Sequence, residues 1–578
     1  MVMWLLLVPL LTTLVVAHAP LEKRSQPGAP QPDPIKLRPL VWGDLNIIQT
    51  TDTHGWLSGH TKEEYYSADF GDFASFLFHM RQQADHRRKD LLVVDSGDLE
   101  DGNGLSDSTS RRGEASRPIF EMINYDLLSI GNHELFSNEI AEAIYKDFAP
   151  KWGKRYLTSN VFFKDEKLKK LVPFGNLYRK FRMKYGTRVM SYGFIFNYNN
   201  PTTNSVIEPS NVTVTLPWFQ KSLKEKVDVY LIVGHVPVRF AEATDVVKAI
   251  RAVHPTVPII VMGGHAHVRD FTQYDARAVG MASGRYLETV GWLSVQGIHD
   301  QACRVKTACI GKNLTATRRY LDNNRHSFKT HALAHPRQKF DTWKGHKITN
   351  EIATLRGSLK LTTVLGCAPQ AYYISRYPVT DSRSAYHLVA NEILPFYAVD
   401  KSRPNPSVVF IHAHALRFDI LKGTFSVDDS FCVSPYYYKL IYVTAPFKIA
   451  KKVLPTLNPP ELQKRDFSTA SRHIAANSNL TLGYVTNDDY GYGGDDWPHI
   501  PYPEVTVPSY VSSPLPSDLN DDDLVDVIWL DFFTKKMEST LKELDPSTTY
   551  VPASYRQDVD SHSMLVNFVE DKWSSNTC

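Results

Sequence analysis

Residues 257–270 read VPIIVMGGHAHVRD, in which four consecutive apolar residues are followed by two glycines and two histidines. A short apolar run bounded by turn residues predicts a buried strand. Turn residues ordinarily end such a strand, which accounts for Gly263 and Gly264 but leaves His265 and His267 unexplained. The stretch therefore predicts a strand whose carboxyl end carries two side chains that can bind a metal ion.

The same pattern ends four earlier apolar runs: LNIIQTTDTH (45–54), LLVVDSGD (91–98), YDLLSIGNHE (125–134) and VDVYLIVGHVPV (227–238). Because such runs alternate with helical patterns between about residues 43 and 300, this segment is predicted to form an α/β sandwich. Strands of α/β sheets direct their carboxyl ends toward a common crevice, so residues distant in sequence can meet there. The polar residues at the five strand ends are Asp52, His54, Asp98, Asn132, His133, His235, His265 and His267.

Taken singly, an Asp, Asn or His after a strand is usually a turn former or a hydrogen-bonded structural residue. Five successive strand ends that all carry oxygen or nitrogen donors are hard to obtain from turn chemistry alone. Imidazole and carboxylate donors suit Zn, Mn, Fe or Co better than Ca, and the set contains no cysteine. Since the candidate donors exceed the ligands of one tetrahedral ion, we predict two divalent ions about 3.5–4 Å apart that share a carboxylate.

Five sequence blocks together resemble the signature of calcineurin-like binuclear metallophosphoesterases: Asp52-x-His54, Gly97-Asp98, Gly131-Asn132-His133-Glu134, His235 and Gly264-His265-Ala266-His267. The resemblance covers roughly residues 43–270 and implies a four-layer αββα sandwich. It implies that Asp98 bridges two ions, one also held by Asp52, His54 and His267, the other by Asn132, His235 and His265. It further implies that a metal-bound hydroxide attacks phosphorus while His133, a non-ligand, contacts the phosphoryl group or the leaving oxygen.

The second half of the chain resembles the C-terminal substrate domain of the 5′-nucleotidases, a smaller α/β domain. The matching positions are Arg417 after HAHAL, Pro435-Tyr436 and the segment GGDDWP at residues 493–498. The resemblance implies that Tyr436 and an aromatic partner, either Tyr490 or Tyr492, clamp a base. It also implies that Arg417 contacts an anionic group or the ribose, and that Asp495 binds ribose hydroxyls.

Two features depart from that family. Phe136 stands where animal and bacterial 5′-nucleotidases have an Asp three residues after the catalytic His, so a His–Asp pair must use another carboxylate or be absent. The glycines before the family's arginine are replaced by Ala413, His414 and Ala415, which leaves the contacts of Arg417 open. Both departures bear on how well the site turns over a substrate.

The chain is predicted to divide into a signal peptide (1–19), a leader or pro-segment (20–42), a catalytic domain (43–335), a linker helix (336–360) and a substrate domain (361–578). The apolar core of MVMWLLLVPLLTTLVVAHA and its small-x-small end indicate the signal peptide. The pair Lys23-Arg24 suggests removal of the leader by a dibasic protease, the alternative being an exposed basic pair without processing. Residues 519–544 are predicted to form one amphipathic helix that begins at Asn520 or Asp521.

Composition excludes several classes of protein. Hydrophobic residues make up 43% and charged residues 22% of the 578 positions, which argues against a disordered or fibrous chain. A formal net charge of +3, with no basic run among aromatic residues, argues against a nucleic-acid polymer as partner. After the signal sequence no segment reaches the roughly 18 apolar residues of a membrane helix, so no membrane anchor is expected. The oligomeric state stays open.

Cysteines and glycosylation sequons indicate the secretory pathway. Acceptor triplets begin at Asn211, Asn313 and Asn479. Among the five cysteines, Cys303 is expected to pair with Cys309, and Cys367 with Cys432, which leaves Cys578 unpaired; the alternative is that all five are isolated buried thiols. We therefore expect a glycosylated, disulfide-bonded protein that is secreted or delivered to the vacuolar lumen.

These features together predict a two-domain hydrolase that converts nucleoside 5′-monophosphates such as AMP to nucleoside and phosphate. The same metal centre could attack nucleotide sugars, NAD-like dinucleotides or 2′,3′-cyclic nucleotides. A nucleotide-binding protein that has lost turnover is a rival from another class, motivated by Phe136 and by the altered turn before Arg417. A secreted adhesion domain on the same scaffold is a further alternative, and it predicts that no metal co-purifies.

Overall fold

The computed structural model describes residues 25–298, 313–335, 337–459, 485–488, 494–499 and 505–578. The predicted signal peptide lies outside these ranges. Several other predicted features do so too: Lys23-Arg24, the Cys303–Cys309 pair, Asn479, Tyr490 and Tyr492.

The N-terminal half alternates strands and helices. Its strands are β1 (Leu45–Thr50), β2 (Asp90–Asp95), β3 (Leu127–Ser129), β4 (Tyr156–Leu157), β5 (Val161–Asp165), β6 (Lys170–Pro173), β7 (Tyr178–Arg182), β8 (Arg188–Tyr192), β9 (Ser205–Ile207), β10 (Val229–Val233), β11 (Ile259–Met262), β12 (Arg269–Asp275), β13 (Ala278–Ser283), β14 (Thr289–Gln296) and β15 (Thr315–Asp322). Its helices are α1 (Phe70–Arg87), α2 (Gly104–Asp107), α3 (Ser116–Phe120), α4 (Asn138–Ala143), α5 (Ala149–Trp152), α6 (Ser210–Thr213), α7 (Pro217–Ser222), α8 (Ala241–Val253), α9 (Arg325–Ala332) and α10 (Trp343–Ser358).

Two six-stranded sheets form the centre of this half. Their strand orders are β15-β14-β1-β2-β3-β4 and β12-β13-β11-β10-β8-β7. Strands β1 to β4 run parallel, as do β13, β11, β10 and β8, so the carboxyl ends within each set lie at one edge of its sheet. The smaller sheet β6-β5-β9 extends the domain to one side.

The facing sides of the two sheets share one hydrophobic core. Ile47 and Leu92 of the first sheet belong to the same buried cluster as Leu231, Ile260 and Met281 of the second. Because both faces of these strands are buried, their sequences read as continuous apolar runs rather than as alternating ones.

Helices cover the two outer faces. Residues of α1, α9 and α10 pack against the first sheet, and residues of α7 and α8 pack against the second. Examples are Phe76, Phe328 and Ile348 on one side, and Phe219 and Val246 on the other. The order helix, sheet, sheet, helix confirms the expected four-layer αββα sandwich.

The C-terminal half forms a second, smaller α/β domain, as expected. Its strands are β16 (Val364–Ala368), β17 (Ser407–His412), β18 (Gly423–Ser426), β19 (Leu440–Pro446), β20 (Tyr510–Ser512), β21 (Leu524–Leu530) and β22 (Ala553–Ser554). Its helices are α11 (Ala385–Leu388), α12 (Val427–Val433), α13 (Phe447–Leu457), α14 (Thr534–Leu544), α15 (Ser561–Lys572) and the π-helical segment Val389–Ala398. The sheet β20-β17-β21-β19-β22 lies at the centre of its core. Within the described ranges, no helix combines the length and the apolar composition that crossing a bilayer requires.

The prediction of one helix over residues 519–544 is wrong for its first half. The segment LVDVIWL forms β21, which pairs parallel with β17 and antiparallel with β19. Six of its seven residues are buried, and the one acid at its centre, Asp526, accepts hydrogen bonds from Asn405 and Thr444. A short apolar run cannot be distinguished from a helix by periodicity alone, and here tertiary burial decides for the strand.

Helix α10 lies within the range predicted for a linker and packs closely on α1. A Cβ atom on Gly345 would lie 2.1 Å from Ser75 Oγ and 2.6 Å from the carbonyl oxygen of Gly71. Its residues Ile348 and Ile352 belong to the core of the first domain. Helix α10 is therefore part of that domain's outer layer, and the exact domain boundaries stay a prediction.

Part of the predicted leader also packs on the catalytic domain. Ser25 and Gln26 are buried. The hydroxyl of Ser25 donates to Asp72 Oδ2 at 2.8 Å, and Gln26 Nε2 donates to Asp69 Oδ2 at 2.9 Å. Residues that immediately follow Lys23-Arg24 thus make contacts typical of a folded domain.

The disulfide prediction for the second domain is wrong. Cys367 pairs with Cys578, and Cys432 is a free buried thiol. Cys367 lies in β16 next to the C-terminal segment, where Asn576 Nδ2 donates to its carbonyl oxygen at 2.9 Å. Cys432 lies on α12 and faces an aromatic cluster at the boundary with the first domain.

Candidate metal centre

The side chains predicted to bind metals meet at the carboxyl ends of β1, β2, β3, β10 and β11. One group consists of Asp52, His54, Asp98 and His267, and a second of Asp98, His235 and His265; within each group the donor atoms lie within 4.8 Å of one another. Asp98 belongs to both groups. The structure therefore brings residues more than 200 positions apart into one cluster with a shared carboxylate, as the sequence analysis expected.

The backbone of this cluster is unusual. Five of its residues have φ in the left-handed region, which non-glycine residues rarely adopt: Asp52 (50°), His54 (46°), Asp98 (62°), His265 (72°) and His267 (60°). Such conformations cost of the order of 1–3 kcal/mol each and persist where the surrounding structure over-determines them. Here they turn each donor away from the strand direction and into the common crevice.

Glycines next to the donors allow this close packing. A Cβ atom on Gly131 would lie 2.1 Å from Asp98 Oδ1, and one on Gly264 would lie 2.9 Å from Asp52 Oδ2. The carboxylate of Glu134 holds the same region, because it accepts hydrogen bonds from the backbone amides of Gly131 and Asp98 at 2.6 and 3.1 Å. In the GNHE block, Gly131 and Glu134 thus hold the backbone around the cluster, in addition to the Asn that contributes a candidate ligand.

Hydrogen bonds fix the orientation of two imidazoles. Nδ1 of His54 lies 2.5 Å from the carbonyl oxygen of Glu100, and Nδ1 of His235 lies 2.9 Å from that of Ser96. A carbonyl oxygen can only accept, so each Nδ1 carries a proton, and in the neutral imidazole Nε2 presents its lone pair to the cluster. Second-shell hydrogen bonds of this kind are typical of metal-binding histidines.

Several donor atoms have no hydrogen-bond partner among the described residues. Asp98 Oδ2, Asn132 Oδ1 and His235 Nε2 are buried and make no hydrogen bond there. His235 Nε2 lies 3.0 Å from Asp98 Oδ2, and His54 Nε2 lies 3.0 Å from His267 Nε2. Nitrogen and oxygen donors that converge this closely need a shared proton or a cation between them, so the residues fit a pair of divalent ions.

Burial also favours the neutral imidazoles that metal binding requires. Burial, and secondarily the charge of Arg417, holds the pKa of His54 and of His267 well below the usual range. Burial, with a contribution from His235, lowers the pKa of His265 to about 3. His235 differs: burial lowers its pKa, but the Asp98 and Asp52 carboxylates outweigh burial and raise it. A cation between these groups would take the place of that proton.

His133 lies beside the cluster and contacts a carboxylate that the sequence analysis did not identify. Its Nδ1 lies 2.7 Å from Asp101 Oδ2, and its Nε2 lies 3.8 Å from Asp98 Oδ2. Phe136, where the resemblance would have an Asp, packs on the imidazole with ring centroids 4.2 Å apart. The His–Asp pair is therefore present, but its carboxylate comes from the loop after β2.

Arg417 reaches the cluster from the second domain. Its Nη2 lies 3.3 Å from His54 Nε2. Its Nε is buried and makes no hydrogen bond to any residue in the described part of the chain. A guanidinium that lies next to a candidate metal centre and has an unused N–H donor is suited to bind an anionic group of a substrate.

Tyr286, in the loop between β13 and β14, connects Arg417 to the metal cluster. Its backbone amide donates to the carbonyl oxygen of Asp52 at 2.7 Å, and its ring centroid lies 5.4 Å from those of both His54 and His267. Its hydroxyl donates to the carbonyl oxygen of Arg417 at 3.3 Å. No motif in the sequence signals this role, because the residue follows an ordinary apolar strand.

The remaining predicted substrate residues are placed differently. Tyr436 is buried, and its ring contacts Tyr438 and the guanidinium of Arg112. Asp495 lies beside β15 and pairs with Arg269 at 2.6 Å, with both side chains almost fully buried. These contacts give Asp495 a structural role in joining the second half of the chain to the first domain, so the ribose assignment gains no support from them.

Comparisons with known proteins agree with this architecture. The family model described as calcineurin-like phosphoesterase matches residues 45–269. The model described as NAD nucleotidase, C-terminal domain, matches residues 371–477 and 459–538. With the binuclear-type cluster, these matches define the chain as a calcineurin-like metallophosphoesterase followed by a nucleotidase-type C-terminal domain.

Proteins that are similar over almost the whole length of this chain identify its family more closely. A protein of Arthroderma benhamiae named "Secreted protein" is 35% identical over 627 residues, which covers 96% of this chain and 94% of the relative. The crystal structure of a 5′-nucleotidase from Candida albicans is 37% identical with a TM-score of 0.84, and the match covers 93% of this chain and 99% of that one. A 5′-nucleotidase precursor from Thermus thermophilus shares the fold, with 14% identity, a TM-score of 0.60 and coverage of 92% of this chain and 97% of that one. The chain belongs to the 5′-nucleotidase family of metallophosphoesterases and is a phosphoric ester hydrolase.

Proposed function

We propose that this protein hydrolyses nucleoside 5′-monophosphates such as AMP to a nucleoside and inorganic phosphate. The observation that carries the proposal is the position of Arg417, a guanidinium from the second domain 3.3 Å from a histidine of the two-ion cluster. A phosphoryl group bound at the ions would lie within reach of this guanidinium once Arg417 exchanges its contact with His54 for the phosphoryl oxygens, and both domains would then bind it. The 37% identity to the Candida albicans 5′-nucleotidase over almost its entire length supports the same substrate class.

We assign the metal ligands by their grouping. One ion would be held by Asp52, His54, Asp98 and His267, and the other by Asp98, Asn132, His235 and His265. Two divalent ions supply Lewis-acid stabilisation of the phosphoryl oxygens and lower the pKa of water toward neutrality. The donor set suits Zn, Mn, Fe or Co.

His133 would handle the proton at the leaving oxygen. Because Asp101 accepts from its Nδ1, the imidazole presents Nε2 toward the cluster. From there it can donate to the leaving alkoxide or neutralise its charge, as general acids do. Burial, followed by the charge of Arg417, holds the pKa of His133 well below its usual range.

The second domain would supply recognition. Arg417 would bind the phosphoryl group or ribose, and Tyr436 would stack on the base with an aromatic partner from Tyr490 or Tyr492. In the present arrangement Arg112 and Tyr438 occupy the faces of the Tyr436 ring, so binding of a base there requires the ring to exchange these contacts.

Dinucleotides form a second candidate substrate class. The family model that matches the C-terminal half is described as NAD nucleotidase, C-terminal domain. A dinucleotide differs from AMP in presenting a pyrophosphate to the same cluster, and hydrolysis would release two nucleotides rather than phosphate. Nucleotide sugars and 2′,3′-cyclic nucleotides are further candidate substrates, and the same substrate panel tests them.

The deciding experiment is a substrate panel with purified protein and added Mn²⁺ or Zn²⁺. Chromatography of the products, with a phosphate assay, separates release of phosphate from AMP, cleavage of NAD into two nucleotides, and opening of a cyclic phosphate. If none of these is turned over but AMP binds tightly by calorimetry, the protein is a nucleotide-binding protein and the proposal fails. Elemental analysis of the same sample gives the metal and its stoichiometry.

We also propose that the protein acts outside the cytosol, in the extracellular space or the vacuolar lumen. The signal-like N-terminus, a relative named as secreted and the Cys367–Cys578 disulfide support this location, since such bonds persist in oxidising compartments. Asn211 and Asn313 are exposed and available as glycan acceptors. Mass spectrometry of the mature protein from the culture medium, before and after removal of N-glycans, tests the location and the modification together.

A further inference from the structure

Arg112, in the loop between α2 and α3, contacts both the His133–Asp101 pair and the second domain. Its Nη1 donates to Asp101 Oδ1, the oxygen that His133 does not use. Its Nη2 donates to the carbonyl oxygen of Pro435 at 3.0 Å, and its Cζ lies 5.2 Å from the ring centroid of Tyr436. One guanidinium thus joins the proton-handling pair of one domain to the predicted base-binding segment of the other.

The contact with Asp101 is needed because that carboxylate is fully buried. A buried carboxylate that loses its cationic partner is costly, and it responds by rotating toward other donors. Such a rotation would change the acceptor at Nδ1 of His133 and so the direction in which Nε2 points. The loop itself is held separately, since Asp107 accepts hydrogen bonds from the backbone amides of Asp101 and Gly102. Arg112 therefore fixes the orientation of the Asp101 side chain, whereas Asp107 holds the backbone.

We propose that Arg112 is a positioning residue that holds Asp101, and through it the imidazole of His133, in the working orientation while the second domain is docked. The proposal rests on the proposed function, because it assigns the proton-handling role to His133. It assigns Pro435 and Tyr436 a second role besides recognition of the base. Because both contact Arg112, the position of the substrate domain would affect the orientation of the His133 imidazole.

Arg112→Gln removes the charge with little change in length and provides the main test. We expect kcat for AMP to fall roughly 10- to 100-fold, a part of the 10²–10⁴ that general acid–base catalysis contributes. KM should change less than kcat, and the metal content should stay as in the wild type, since Arg112 contacts no residue assigned as a metal ligand. Arg112→Lys should recover a large part of kcat, because an ammonium can still pair with Asp101.

Arg111→Gln is the matched control. Arg111 precedes Arg112 in the same loop, and its partner is Glu114 at 3.5 Å, with both side chains more than two-fifths exposed. This variant should keep wild-type kcat, KM and metal content. A loss of activity as large as that of Arg112→Gln would show that any change in this loop is harmful and would overturn the proposal.

The Nδ1 proton of His133 gives a readout independent of turnover. In protein labelled with ¹⁵N-histidine, its hydrogen bond to Asp101 should give a downfield proton signal, assigned by its absence in His133→Gln. We expect Arg112→Gln to shift or remove this signal, Arg111→Gln to leave it, and Tyr436→Leu to shift it through loss of the domain contact. An unchanged signal in Arg112→Gln, or a loss of thermal stability without an effect on the signal or kcat, would overturn the proposal. A wild-type protein without phosphate release would refute the proposed function instead, and the signal would still decide the role of Arg112.

Discussion

At the scale of single residues, the proposed roles separate groups that would hold ions from a group that would handle protons. Asp98 lies in both ligand groups, whereas His133 contacts Asp101 and stays 3.8 Å from Asp98. The two kinds of residue should therefore respond differently to substitution.

We expect His133→Gln to lower kcat by about 10²–10⁴-fold with unchanged metal content, since only proton transfer is lost. Asp98→Asn should lower kcat and also lose bound metal, because the bridging carboxylate becomes an amide that donates as well as accepts. Phosphate release and elemental analysis on the same samples test both expectations. Equal metal loss in the two variants would contradict the division of roles.

Tyr286 offers a test of the link between the domains. In Tyr286→Phe the ring still packs against His54 and His267, and only the hydrogen bond to the carbonyl oxygen of Arg417 is lost. We expect KM for AMP to rise roughly 2- to 10-fold, the effect of one hydrogen bond, with unchanged metal content. Steady-state kinetics measure the change; an unchanged KM would show that Arg417 is positioned by other contacts.

The sequence predicted which side chains gather at the strand ends, because each follows closely on an apolar strand and parallel strands bring such positions together. It did not predict Asp101, although this residue stands three positions after Asp98 in the same loop, because the family pattern places the carboxylate three residues after the histidine, at position 136. Arg112 and Tyr286 were missed for a different reason: each joins a residue of the first domain to one of the second, and no local pattern specifies such a link.

At the scale of elements, the close contact between α1 and α10 at Gly345 leaves no room for a larger side chain at that position. Gly345→Ala should destabilise the protein by about 1–3 kcal/mol, as over-packing typically does, because the new Cβ meets Ser75 and the backbone of Gly71. Gly357→Ala in the same helix meets nothing within 4 Å and should stabilise by about 0.5–1 kcal/mol. Denaturant unfolding of both variants checks the sign of each effect; destabilisation by Gly357→Ala would refute the steric explanation.

Element types were predicted where length and flanking residues agreed, as in β1, β2, β10 and β11. The segment 524–530 was misassigned because apolar residues on both sides of Asp526 are compatible with a helix as well as with a buried strand. Only its place between β17 and β19, where Arg403, Asn405 and Thr444 satisfy the acid, explains the strand.

At the scale of the whole molecule, the Cys367–Cys578 disulfide closes a loop with a sequence separation of 211 residues around the second domain. In the chain-entropy model a loop of this length is worth about 5 kcal/mol, an upper estimate for real proteins. Cys578→Ser should lower the free energy of unfolding of the second domain toward this limit. Cys432→Ser, which leaves the bond intact, serves as the control in thermal unfolding. A smaller effect for Cys578→Ser than for Cys432→Ser would contradict the assignment.

The pairing itself could not be deduced from the sequence, because cysteine spacing does not fix connectivity. It also has a consequence during biosynthesis. A chain that enters the secretory pathway from its N-terminus exposes the thiol of Cys367 long before Cys578 has been translated, and Cys432 is the first other thiol of this domain to follow. In the secretory location proposed above, a Cys367–Cys432 bond would be able to form first, and the native bond would then arise by thiol–disulfide exchange.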